Sequence, residues 1–351
     1  MKSEAKVRFA VLGLNQGSKI ARDAKENPNI ELVAVAGFGD QAVQTAAELG
    51  VKLYEDYNNL LEKETIEGVA IALPNSLHLP ATEKAVQCGV KNILLEKPIA
   101  STVEEGEQII KVCRDADVKL LIGHHRRSSS RYQFLKQLLD SGRLGKIIGI
   151  QSSFAIEKQP DYWDADWHKV RTGGPMLINA IHDIDDLNFV TGLKIKRVYA
   201  TLQNTIRGNE SEDSATIVME YEGGVTASYF ISDGTPSPWN YDLAACENVF
   251  WCMCPGENSM RIYGTEGSFG FPNMDLYSYK EGHRGWREQL YKEHFEIATN
   301  DPMTAELDHF IAMCTDSSIQ PRCTGEDALQ AVKIIDAVFE SADTRLPVDI
   351  K

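Results

Sequence analysis

The chain has 351 residues, of which 43% are hydrophobic and 25% charged, and carries a formal net charge of −15. That length fits roughly two globular domains, and the acidic balance excludes the basic stripe of a nucleic-acid surface. No run approaches the ~20 apolar residues of a bilayer span, and the first residues lack the apolar stretch and cleavage site of a secretory signal, so an intracellular, cytoplasmic protein is expected. Its seven cysteines, an odd and scattered set, fit free thiols rather than a disulfide scaffold.

In chain order, strand-like runs fall at 7–12, 30–36, 68–73, 91–95 and 118–122, with helical patterns between them at 18–26, 41–49, 79–88 and 102–116. Short apolar runs alternating with helices make βαβ units and a parallel sheet buried on both faces. The last of these helices opens on Ser101-Thr102-Val103-Glu104, a capping-box pattern. Residues 1–123 therefore read as a doubly wound α/β Rossmann domain. Beyond them the pattern changes to a helix at 130–140, strands at 147–156, 195–203, 214–221, 225–232, 259–264 and 275–279, and closing helices at 303–314 and 325–342. Gly223-Gly224 suits a hairpin turn. Residues 124–351 thus read as an α+β domain with a mostly antiparallel open sheet.

Cys252-Met253-Cys254 lacks the partner pair that zinc requires and reads as a strand bearing two ordinary thiols. The acids Asp183–Asp186 lack ligand spacing and read as a solvated or capping face, so no metal is expected.

Strand ends carry the chemistry in doubly wound folds. The first strand runs into "GLNQGSKIA", where a dinucleotide fingerprint would read G-x-G-x-x-G. Gly13 fits the tight turn, Asn15 and Ser18 stand for the other glycines, and Gly17 lies just before Ser18. A glycine turn between any first strand and helix fits the same letters. The second strand ends Ala36-Gly37-Phe38-Gly39-Asp40, with a late acid and no cation nearby, which leaves NAD and NADP both open and leans to NAD. The fifth ends in Glu96-Lys97-Pro98, where proline restricts Lys97 to extended geometry at the sheet's carboxyl edge. Farther on, Gly173-Gly174-Pro175 opens a helix through Asp186, its glycines leaving room for a ligand at the backbone. Asn179 and His182, three apart, share a face of that helix.

The chain resembles the glucose-fructose oxidoreductase / inositol dehydrogenase / MocA family of NAD(P)-dependent oxidoreductases over essentially its whole length. The resemblance rests on "GLNQGS" (13–18), "LPNSLH" (73–78), "LLEKPIA" (94–100), "GHHRR" (123–127), "GGPMLINAIHDID" (173–185) and "YGTEGS" (263–268). It implies an N-terminal Rossmann domain and a C-terminal sheet through which the family often forms homo-oligomers. It also implies proton transfer by Lys97, Glu96 near the nicotinamide, and Pro74, Asn75 and His78 around the same half of the cofactor. Where the family reads Asp-x-x-x-His, this chain has His182 but Ile178 at the acid position, with Asn179 beside it.

Oxidising a sugar-type secondary alcohol removes a hydride from carbon and a proton from oxygen, and the protein must supply the base. A lysine serves only with its pKa well below the ordinary ~10.4, which burial or a neighbouring cation achieves. His182 then contacts the reacting oxygen and Asn179 a neighbouring hydroxyl; a structural histidine capped by Asp185 or Asp186 is the competing reading. His124 and Arg126 leave the same sheet edge toward the cleft, and Arg127 pairs with an acid. Trp163 and Arg171, in "PDYWDADWHKVRTGG", suit either a sugar-stacking wall or a packed loop. The expected activity is an NAD(P)-dependent dehydrogenase acting on a sugar, cyclitol or related polyol, with no nucleic-acid or membrane partner. A non-catalytic NAD(P)-binding regulator and an NAD-dependent glycosidase are the rivals.

Overall fold

The computed structural model describes residues 6–247 and 251–351, which group into two compact units. The first comprises residues up to Ser128 together with Asp301–Val332; the second comprises Ser129–Asn300 and Lys333–Lys351.

The first unit is built on β1 (Val7–Leu12), α1 (Gly17–Glu26), β2 (Ile30–Ala36), α2 (Asp40–Leu49), β3 (Lys52–Tyr54), α3 (Tyr57–Lys63), β4 (Gly68–Ile71), α4 (His78–Gln87), β5 (Asn92–Glu96), α5 (Val103–Asp115) and β6 (Lys119–Gly123). Its six strands run in the order β3-β2-β1-β4-β5-β6, all parallel. This is the doubly wound order, and its direction reverses between β1 and β4, where such folds bind ligands outside the strands' carboxyl ends. Helix boundaries follow local chemistry. Thr102 caps α5 by accepting from the Glu105 amide, one residue on from the expected box, and α2 ends on Gly50 in the left-handed region. The short pair β3 and α3 is absent from the sequence reading, because three strand residues carry too little periodicity to register.

This grouping differs from the break after residue 123 that the sequence led us to expect, with 124–351 as one domain. Helix α9 (Pro302–Thr315) is part of the first unit: Phe310 meets Phe9 of β1 at 5.9 Å between ring centroids and fills the space above Gly68. The chain beyond it covers the sheet edge, where the Ile122 amide donates to the Cys323 carbonyl and Arg127 pairs with Asp327 at 3.1 Å. Only tertiary contact reveals this, since a helix 180 residues away carries no local mark of its destination.

The second unit contains α6 (Ser130–Asp140), β7 (Ile147–Ala155), α7 (Ile181–Thr191), β8 (Ile195–Gln203), β9 (Ser214–Tyr221), β10 (Thr226–Ser232), α8 (Tyr241–Ala245), β11 (Met260–Gly264), β12 (Gly267–Phe271), β13 (Asp275–Tyr279) and β14 (Leu290–His294). Helix α10 (Gly325–Thr344) starts in the first unit and continues into this one, which closes with β15 (Val348–Asp349). Nine strands form one sheet, β14-β13-β12-β11-β7-β10-β9-β8-β15, antiparallel except for β7 beside β10. Gly223 and Gly224 both take positive φ in the β9–β10 hairpin, as the turn demands. One face buries Ile150, Phe154, Val198, Ile217, Met219, Tyr229 and Ile262, whereas the other exposes Tyr199, Val218, Phe230 and Tyr263. The expected strand at Cys252-Met253-Cys254 is irregular chain, and all seven cysteines are free.

Candidate active site

Strand order brings the ends of β1, β4, β5 and β6 side by side, so their C-terminal turns share one edge of the first unit's sheet. At the first turn Gly13 has φ +93°, its amide donates to the Ala36 carbonyl at 2.8 Å, and a Cβ there would lie 2.2 Å from the Ala72 oxygen. Gly17 starts α1 against Val11 and Ala72, where a Cβ would sit 3.0–3.1 Å from them. Asn15 is exposed at the tip, and its carbonyl accepts from the Ser18 hydroxyl at 2.9 Å. No side chain caps α1, and the Ser18 and Lys19 amides make only long bonds to the Asn15 and Gln16 carbonyls, at 3.4 and 3.3 Å, so an anion could compete for this helix start. The turn therefore fits a dinucleotide pyrophosphate despite its degenerate letters. At the end of β2, a side chain on Gly37 would meet Leu14 and Ala42 at 3.1–3.2 Å, so the usual acid position is closed and Asp40, in the first turn of α2, is the carboxylate that remains.

The turn after β4 carries Pro74, exposed, and Asn75, half-buried. His78 is fully buried, and its ring faces main-chain carbonyls on both sides: Nδ1 lies 3.0 Å from the Pro98 oxygen and Nε2 3.0 Å from that of Leu73. Burial lowers its pKa. The direct cofactor contact expected of His78 is therefore corrected, because both ring nitrogens are already directed at the protein's own backbone.

The turn after β5 places Glu96 and Lys97 half-buried, and the Lys97–Pro98 peptide is cis. The Glu96 carboxylate folds back to accept from the Lys97 amide at 3.2 Å and lies over Gly123, whose missing side chain leaves it 3.3 Å of room. Burial raises the Glu96 pKa, opposed by the charge of Lys97. After β6, His124 and Arg126 are buried, and the half-buried His125 has its pKa pushed down to about 3 by burial and by the Arg126 and Lys97 cations.

In the second unit the helix bearing Asn179 and His182 begins with a wide i→i+5 turn over Met176–Ala180 before α7 proper. Such turns recur at functional sites. His182 is buried, and Asn179 is half-buried with its Oδ1 enclosed and unbonded. Two expectations change here. The Asp183–Asp186 acids are no solvated face: Asp183, Asp185 and Asp186 are buried, and the Tyr229 hydroxyl donates to Asp183 at 2.5 Å, fixing α7 to the sheet. The glycines do not open the backbone to a ligand either. A Cβ on Gly173 would overlap the Trp167 carbonyl at 2.0 Å, and one on Gly174 would lie 2.4 Å from the Glu212 carboxylate.

Glu212 was not foreseen. Its Oε1 accepts from the Met176 amide at 2.7 Å, and burial drives its pKa up to about 7. Around it lies a buried ionic cluster: Lys158 pairs with Asp233 at 3.2 Å, and Arg207 with Asp213 at 2.8 Å and also with Asp233. The Arg207 guanidinium covers the Trp163 ring at 3.7 Å, and Arg171 pairs with Asp343 at 2.6 Å while resting on Phe339. Trp163 is thus half-buried against Arg207, whereas Arg171 remains exposed. The letters "NESEDS" around Glu212 mark only a polar turn, so no local signal could have found it.

Comparisons with known proteins agree with this geometry. The family model described as "Oxidoreductase family, NAD-binding Rossmann fold" matches residues 7–124, and that described as "GFO/IDH/MocA C-terminal domain" matches residues 132–270. The chain is similar to 2,7-anhydro-N-acetylneuraminate hydratase of Mediterraneibacter gnavus, 29% identical over 75% of this chain and 72% of that one. It is also similar to scyllo-inositol 2-dehydrogenase (NAD(+)) of Bacillus subtilis, 27% identical over 99% of this chain and 97% of the relative. Among solved structures, WlbA dehydrogenase from Bordetella pertussis, in complex with NADH and UDP-GlcNAcA, superposes with a TM-score of 0.78 at 20% identity, covering 99% of each chain.

Proposed function

The chain belongs to the Gfo/Idh/MocA family of oxidoreductases, and from that membership we propose that it moves a hydride between a nicotinamide dinucleotide and a secondary alcohol or ketone of a sugar, cyclitol or related polyol. The observation that carries this reading is the position of Lys97, half-buried where β5 leaves the sheet, one strand from the β1–β4 switch point. When bound, the dinucleotide supplies the hydride acceptor, and the protein's own groups do the rest. Gly13, Asn15, Gly17 and Ser18 hold its pyrophosphate at the start of α1; Pro74, Asn75 and Glu96 border the nicotinamide end. Lys97 takes the hydroxyl proton as general base. His182 hydrogen-bonds the reacting oxygen, and Asn179 is assigned to an adjacent substrate hydroxyl. His124 and Arg126 complete the edge.

NAD is the preferred dinucleotide. Asp40, in the first turn of α2, is the acid that follows β2, and no lysine or arginine occurs from residue 26 through 51 to meet a 2′-phosphate. The free cysteines fit a reducing, cytoplasmic setting. The exposed Tyr199, Val218, Phe230 and Tyr263 make the outer sheet face the surface through which copies associate.

The test is a nucleotide titration followed by protein fluorescence, then an absorbance screen for reduced nicotinamide across sugars and polyols. Substrate-dependent NADH formation is expected. Tight binding with no net reduction on any substrate would favour the regulator or the glycosidase, and no binding would remove the assignment.

A further inference from the structure

We propose that His78 is a positioning residue that ties the turn after β4 to the turn carrying Lys97, so that both sides of the nicotinamide site are set as one piece. This role rests on the cofactor reading above. Registered pairing between β4 and β5 stops at Ile71 opposite Leu95, and beyond that point the two chains leave the ladder. The His78 imidazole spans the gap. Nε2 lies 3.0 Å from the Leu73 oxygen, immediately before Pro74 and Asn75, and Nδ1 lies 3.0 Å from the Pro98 oxygen and 3.3 Å from that of Ile99, immediately after Lys97. The ring is fully buried, and its contacts with the Pro98 and Ile99 carbonyls are shut off from water. The neutral ring carries one N–H, so it donates to the carbonyls of one turn and packs its other edge against the second; an aliphatic residue here would remove that donor and free the two turns to move separately. Contact of the dinucleotide with Pro74 and Asn75 would then be transmitted through one rigid ring to the main chain that aims Lys97.

His78→Ala and His78→Gln, the second retaining an amide donor, test this in the full chain. Hydrogen exchange of the nucleotide-free protein should show protection lost over residues 97–100 in His78→Ala while β1 and β4 stay protected. Turnover should fall about 10²-fold, the scale of an ångström-level misplacement of a catalytic group, with cofactor affinity within about threefold of wild type. His78→Gln should recover part of the loss. Unchanged exchange at 97–100 would overturn the proposal. So would a uniform loss of protection across the first unit with affinity and turnover falling together, the behaviour of an ordinary core histidine. Because the exchange measurement needs no nucleotide, failure of the wild-type protein to bind one would count against the cofactor reading and not against the tether.

Discussion

The carboxyl edge of the first unit's sheet and the helix at 176–191 of the second both carry proposed site residues, but they are held by different means. At the sheet edge the geometry is set by main chain. The Gly13 amide bonds the Ala36 carbonyl, the Ala72 amide bonds the Leu12 carbonyl at 2.7 Å, and His78 faces three more carbonyls. Side-chain identity matters at few points there, which is why Asn15 and Ser18 can stand where glycines are usual. The helix is instead fixed by single side chains from distant segments: Glu212 at the Met176 amide and Tyr229 at Asp183. A site built from backbone tolerates a loose motif; one built from buried charged side chains depends on each partner.

Substitutions can break or sharpen this contrast. The largest effect is expected at Lys97, where the side chain itself does chemistry. Lys97→Ala should slow the chemical step by at least about 10²-fold while dinucleotide affinity stays near wild type, because the phosphate turn is made by other strands. Single-turnover kinetics beside a binding titration separates the two, and near-normal turnover would remove Lys97 from its role. Gly13→Ala comes next and acts on the backbone. A Cβ at 2.2 Å from the Ala72 oxygen, on a residue with φ +93°, has no flexible neighbour to yield. Overpacking and strain together should cost about 4 kcal/mol of stability, with binding lost in whatever folds. A stable Gly13→Ala protein that binds NAD would show that the edge is less rigid than its hydrogen bonds imply.

The same contrast explains what could be read in advance. Strands β1, β2, β5 and β6 and their turns are legible because a buried parallel strand is a short apolar run and its turn is punctuated by Gly13 or Pro98. The glycine turn at Gly13, the place of Lys97 at the end of β5 and a helix bearing Asn179 and His182 all follow from local letters. What local letters cannot show is destination. The burial of Asp183, Asp185 and Asp186 depends on a sheet whose strands lie up to fifty residues on, and three acids within four residues look solvated until Tyr229 is seen against one. Gly173 and Gly174 read as room for a ligand, and what fills that room, the Trp167 carbonyl and the Glu212 carboxylate, comes from segments their own letters do not name. Helix α9 was found, but its packing of Phe310 on Phe9 was not.

The smallest effect, and the one that bears most directly on the second region, concerns Glu212. Its carboxyl is buried and its pKa is raised to about 7. In the unfolded chain it titrates near the ordinary glutamate value of about 4.3. The folded state therefore holds its proton more tightly, so the carboxyl's contribution is fully present below the unfolded pKa and is lost as pH rises through the folded one. Over that window wild type should lose roughly 3–4 kcal/mol relative to Glu212→Gln, whose amide oxygen still accepts from the Met176 amide but cannot ionise. Urea unfolding of both proteins at several pH values reads this as a wild-type-minus-variant difference that falls from about pH 4 to 7 and is level above it. A difference that does not change with pH would mean that the Lys158–Arg207 cluster already compensates the ionised carboxylate. The second region would then be held as cheaply as the first, by pairing rather than at the cost of a desolvated acid.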